Sequence, residues 1–275
     1  MLSKLLKYEF KATGRVYGGL YLAILAVAFL MGASFRIRSM PEAPIAVLLM
    51  IYLALAVAIA VMIVFTIIQR FTRNLLGREG YLMHTLPVTA SQLILSKLIS
   101  SMAWILCSAV VLLASFALFS VFGLMDIAEA FSGLDTEEFG KLAELLRQVL
   151  SGYGAAMIFN ALEWLVSLAC SILCIYTACM IGHWAGKYIV PVGIAAFVIL
   201  NVVQNKLLGL LPYNSGITGL DLVFTPASDG SLAYTVTGRK GYVWAVLAAL
   251  AANLVLCGAY FAATDWMMKN KLDLE

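Results

Sequence analysis

Six long apolar runs constrain this chain more than anything else in it. They cover 16–35, 44–68, 98–122, 155–181, 188–204 and 242–264. A bilayer core of about 30 Å needs roughly 20 helical residues, and five of the runs meet that length. The fifth run, 188–204, is short and carries Pro191, Asn201 and Gln204. It is counted as a span because omitting it would place the charged tail on the wrong side. The runs are continuous, whereas a membrane β-barrel would show strands of about 10 residues with alternating polarity. In lipid, a helix satisfies its own backbone within one segment. The expected fold is therefore an all-α integral membrane protein with six transmembrane helices.

Composition supports the same conclusion. Hydrophobic residues make up 63% of the chain and charged residues 12%, against nearly half and about a quarter in soluble domains. So little charge cannot cover a water-soluble globule of 275 residues. The longest piece between runs is 205–241. Pieces below about 40 residues rarely fold without disulfides or metals. No soluble catalytic domain fits, and the chain is not expected to be an enzyme. The first run is too long for a cleavable signal and should stay in the membrane.

An even number of spans puts both termini on one side. With that side cytoplasmic, eleven of the 18 Lys and Arg fall on inner pieces, at about twice the outer density, as the positive-inside rule requires. The cluster Lys4, Lys7, Lys11 and Arg15 precedes the first span and weighs most. The expected location is the plasma membrane, multi-pass. The basic residues form no stripe that could track nucleic acid. The five cysteines all lie inside runs, where packing explains them better than metal or redox chemistry. No metal site is expected.

Residues 1–15 read as an interfacial amphipathic helix ahead of a transmembrane domain covering 16–275. Leu2, Leu5, Leu6 and Phe10 share one face, and Lys4, Lys7 and Lys11 the opposite one. That is the pattern of a helix lying at the membrane surface. Glu9 falls in the apolar arc, so the helix either only anchors or also bears on a partner.

The 69–97 piece is the most informative. Arg78 and Glu79 lie between Gly77 and Gly80; Tyr81, Leu82, Met83, Leu86 and Val88 follow, with Pro87 among them. Pro87 stops a local helix, and Thr89 with Gln92 forms a capping box that starts the next one. Exposed apolar side chains in so short a loop mark a contact surface, or else fold back onto the bilayer. The residues leave both readings open.

Two outer pieces carry further signals. In 123–154, Asp135 with Glu138 caps a helix whose apolar stripe runs from Phe139 to Leu150. In 205–241, residues 231–237 have strand-like composition, and 207–220 is a candidate for dipping into the membrane. Glu163 is the only acid inside the runs. Asn160, Glu163, Ser167, Ser171 and Cys174 share one narrow arc of a helix. Such a stripe faces a bundle, a cavity or a partner. It either gates or contacts cargo, or it makes ordinary helix–helix hydrogen bonds.

Energy-coupling motifs are missing. Gly182-His-Trp-Ala-Gly-Lys187 is one residue short of a P-loop and lacks the Ser/Thr. A secondary carrier using Glu163 would need more buried ionisable groups or paired broken helices. A non-transporting scaffold or sensor that recruits a cytoplasmic partner through 69–97 is the other alternative.

The stretch Arg78-Glu-Gly-Tyr-Leu-Met-His-Thr-Leu-Pro-Val88, followed by Ser91-Gln-Leu-Ile-Leu-Ser-Lys97, resembles permease subunits of ABC-2-type ATP-binding-cassette transporters. The small six-span permeases of Gram-positive bacteria look most similar, and Leu5–Lys11 and Met268–Glu275 resemble their ends. The resemblance implies a cytoplasmic coupling helix between spans two and three. Arg78, Glu79, Tyr81, Leu82, Met83, Leu86 and Pro87 would then dock on a separate ABC ATPase. It also implies that ATP and Mg are bound by that partner and not by this chain. Two permease subunits, identical or different, would pair in the bilayer, with cargo exported between them.

Overall fold

The structure is a computed structural model and describes residues 2–35, 42–73, 89–131, 136–210, 220–226, 232–238 and 242–270. Six long helices dominate it: α1 (Leu2–Phe35), α2 (Glu42–Phe71), α3 (Ala90–Phe131), α4 (Thr136–Trp184), α5 (Ile189–Gly209) and α6 (Tyr242–Asn270). Each contains a stretch long and apolar enough to cross a membrane: Thr13–Ser34, Ala43–Phe71, Ala90–Leu118, Ile158–Trp184, Ile189–Gly209 and Val243–Lys269. The chain is a helical, multi-pass membrane protein. The only strands among the described residues are β1 (Leu220–Pro226) and β2 (Leu232–Gly238). They pair antiparallel, with Phe224 opposite Tyr234. The segment 231–237 thus finds its partner in 220–226, and 211–219 lies outside the described residues.

Three helices run well past the bilayer. The interfacial segment and the first span are one uninterrupted helix, Leu2–Phe35. The stripe expected in 135–150 is likewise continuous with the fourth span, in a helix of 49 residues, about 74 Å long. Helix α3 begins at Ala90, where the backbone N–H groups of Gln92 and Leu93 donate to the Thr89 carbonyl at 3.0 and 3.2 Å. The fifth span reaches Gly209, so its apolar run underestimates its length. Pro191 is tolerated because it sits in the first turn, where its missing N–H has no partner to lose. Asn201 and Asn205 extend the helix by pairing with each other, amide to amide, at 2.8 Å.

The chain divides into two compact units, Met1–Gly133 with Met268–Glu275, and Leu134–Met267. In the first unit α1 and α3 run parallel, because Tyr17 meets Trp104 and Tyr21 meets Ser108 four residues further along both. Helix α2 runs opposite to them and contacts each through a tyrosine. Tyr17 donates to the Met62 carbonyl at 3.3 Å, and the Tyr52 and Ser115 hydroxyls lie 2.9 Å apart. Lipid is as apolar as leucine, so close packing and interhelical hydrogen bonds must hold such helices together. The α2 span is only 6% buried, and its large apolar side chains, such as Met50, Val57 and Val61, point away from the unit.

In the second unit α4 is the centre, and half of its span is buried. A tight hairpin joins it to α5 through a single 3-10 turn, Gly186–Tyr188. Gly186 takes φ +61°, a left-handed conformation that costs a side-chain-bearing residue about 1–2 kcal/mol.

Candidate functional site

The packed helices carry two polar seams, one in each unit. The seam of the second unit joins α4 to α6. Asn253 donates through Nδ2 to Glu163 Oε1 at 3.0 Å. Further along both helices, the Thr177 and Thr264 hydroxyls stand 3.1 Å apart, and both threonines are buried. Each hydroxyl also donates to a carbonyl of its own helix, Thr177 to Leu173 and Thr264 to Tyr260. The two contacts advance in the same direction along both helices, so α4 and α6 are parallel.

The polar stripe predicted on α4 is split by this packing. Glu163 turns to α6, while Cys174 is fully buried. Asn160 and Ser167 are half-buried. Ser171 is exposed, and its hydroxyl returns to the Ser167 carbonyl at 2.9 Å. The structure therefore brings Glu163 together with Asn253 and leaves Ser171 facing away from the seam.

Asn253 is 1% exposed, and its Oδ1 has no hydrogen-bond partner. In the sequence alone, one amide in a long apolar run carries little weight. The available signal was that an amide at mid-span needs a partner, and Glu163 was the one acid expected in a run. Asp265 also lies within the last membrane-length stretch. That stretch extends five residues beyond the apolar run that ends at 264, so Glu163 is not the only acid in a span.

In the first unit, Trp104 stacks on Tyr17 with ring centroids 4.6 Å apart and planes 15° from parallel. Phe10 and Tyr21 lie against the same indole at 5.6 and 6.5 Å. Ser108 donates to the Trp104 carbonyl at 2.8 Å, so Tyr21 donates to Ser108 Oγ at 2.6 Å. Phe10, the last apolar residue of the amphipathic pattern, thus faces a protein ring. Lys7 and Lys11 are exposed, as two members of a polar face should be. Lys4 and Glu9 lie on the helical backbone of α1.

Arg78, Glu79, Tyr81, Leu82, Met83, Leu86 and Pro87 lie outside the described residues. The described residues resume at Thr89, immediately before α3. No protein-family model matches the chain, and no curated protein or solved structure is significantly similar to it. Among the described residues, no three His, Cys, Asp or Glu side chains gather closely enough to share a metal ion. All five cysteines are free.

Proposed function

We propose that the chain is the transmembrane permease subunit of an ATP-driven ABC exporter in the plasma membrane, with both termini cytoplasmic. A separate ABC ATPase binds ATP and Mg, and a second permease subunit completes the path through the bilayer. The chain itself catalyses no reaction. The observation that supports this reading is the start of α3 at Thr89, which the 78–88 stretch immediately precedes in the sequence. A force applied to Glu79–Pro87 would act on the first turn of a membrane-length helix. The Tyr17–Trp104 stack would pass that force to α1. A partner can shift such a machine only by binding its two states with different affinity, and a segment that leads in sequence straight into a membrane-length helix suits that role.

The Glu163–Asn253 pair favours a second reading, a secondary carrier worked through an intramembrane carboxylate. Retention of a Walker-motif ATPase by the chain purified in mild detergent, with export dependent on that ATPase, supports the exporter. Export that persists without any ATPase and follows an ion gradient favours the carrier.

A further inference from the structure

Helix α1 runs without a break from Leu2 into the first span, and Phe10, Tyr17 and Tyr21 all lie against Trp104 of α3. The N-terminal turns therefore continue the axis of the span and do not lie flat on the membrane. Residues 16–35 carry no charge and extend about 30 Å as a helix, the thickness of a bilayer core. Arg15 thus stands at the edge of the hydrocarbon, with Lys11 about 6 Å and Lys7 about 12 Å beyond it. All three are exposed. At about 100° per residue, Lys4, Lys7, Lys11 and Arg15 fall within an arc of about 80°. Leu22 and Phe29 occupy the same arc further along and are 71% and 52% exposed. Thr13, Tyr17, Ile24, Ala28 and Met31 lie on the opposite side and are buried. Glu9, the one acid in residues 1–15, falls outside the basic arc. The basic residues are thus the outward continuation of the lipid-facing stripe of α1.

We propose that Lys7, Lys11 and Arg15 form a docking ladder for the headgroups of anionic phospholipids in the leaflet at the N-terminal end of α1. The ladder presents positive charge at three depths about 6 Å apart, on the side of the helix that lipid covers. A soluble acidic protein would have to displace lipid to reach Arg15. The Arg15 guanidinium is a planar fork of donors that fits phosphate oxygens, whereas the two lysines are point charges. Their long apolar stems let the lysines bend along the helix toward the headgroups. A zwitterionic headgroup carries its own ammonium and gains less from this arrangement. Each basic residue close to an anionic surface strengthens attachment about fivefold, and the gain fades within a Debye length. Arg15 and Lys11 should therefore contribute more than Lys7. The ladder does not depend on the ATPase.

The test uses the full chain in phosphatidylcholine nanodiscs doped with a trace of photoactivatable lipid. The probes are phosphatidylglycerol and phosphatidylcholine, each with a diazirine near the headgroup, and chymotryptic peptides covering residues 4–19 are read by mass spectrometry. The cross-linking yield at these residues should be at least about fivefold higher for phosphatidylglycerol, the gain for one basic residue near the surface. Unlabelled phosphatidylglycerol should compete, and inorganic phosphate should not. The preference should shrink several-fold between low salt and about 1 M salt, where the Debye length is about 3 Å. The triple variant Lys7→Gln, Lys11→Gln, Arg15→Gln should bring the two yields together, while Lys7→Arg with Lys11→Arg should retain the preference. Thermal melts in the same nanodiscs confirm folding, and if the triple variant does not fold, the salt dependence of the unaltered chain decides. Equal yields for the two lipids in the unaltered chain, a preference indifferent to salt, an unchanged preference in the folded triple variant, or displacement by inorganic phosphate as effective as by phosphatidylglycerol overturns the proposal.

Discussion

A side chain on Gly182 would stand 2.6 Å from the backbone carbonyl oxygen of Ile189 and 3.0 Å from the Gly193 Cα. Both obstacles are main chain, so neither can rotate aside. The short turn between α4 and α5 therefore closes only because position 182 has no Cβ. Gly182→Ala should destabilise the protein by about 1–3 kcal/mol, the usual cost of overpacking. Gly193→Ala meets only ordinary contacts, the nearest at 3.6 Å, and should be nearly neutral. Thermal melts in one detergent compare the two, and equal shifts would show that the crossing relaxes.

The threonine contact between α4 and α6 should be modest and measurable. Thr177→Val and Thr264→Val keep the shape and remove the hydroxyls. Each hydroxyl has a single proton, so one of the two must release the carbonyl of its own helix to donate across, and the coupling in a double-mutant cycle should not exceed about 0.6 kcal/mol, the mean for hydrogen bonds between membrane helices. A coupling of zero would mean that the hydroxyls serve only their own helices.

Gln204 should behave in the opposite way. It is 8% exposed, and its Oε1 has no partner. A lone buried acceptor in a span lacks even the relief of water. Gln204→Leu should be neutral or stabilising, because replacing an unsatisfied polar group by an apolar one of similar size removes a cost. A clear loss of stability would reveal a partner for this amide in the assembled protein.

In the first unit, Tyr21→Phe removes the donor to Ser108 and leaves the ring packing intact. Trp104→Ala removes the stack on Tyr17 together with the contacts to Phe10 and Tyr21. The tryptophan change should cost several-fold more, about 3–5 kcal/mol against about 1 kcal/mol for the hydroxyl. Unfolding in mixed micelles reads both.

If residues 79–87 receive the ATPase stroke, Glu79→Ala and Tyr81→Asp should abolish export while membrane insertion and copy number stay normal. Normal export by both variants would remove the coupling role from this loop.

How far the sequence could be read follows from its physics. Spans are legible because lipid demands a length of apolar residues that nothing else in a chain imitates. Helix ends are less so. Residues 136–154 continue α4 beyond the apolar run, since Glu, Leu, Lys and Arg favour helix whether or not lipid surrounds them. The start of α3 was legible because Thr89 followed by Gln92 is a local signal. The periodicity of 1–15 places Phe10 on the apolar face of a helix, but periodicity does not reveal that Phe10 packs on Trp104 of another helix. Glu163 stood out by its charge. Asn253, 90 residues away, stood out only once the fold placed it beside Glu163.

That separation also fixes an order of events during synthesis. The chain emerges from its N-terminus, at about 5–20 residues per second. Glu163 is therefore synthesised roughly ten seconds before Asn253. Several hydroxyls, such as those of Ser34, Ser96 and Ser171, bond within their own helix. Asn253 does need a partner, and it arrives two spans after α4, when Glu163 is already made. Docking of α6 is thus a late step in biogenesis, and a chain truncated before α6 would leave an unquenched acid in the membrane as a mark for quality control.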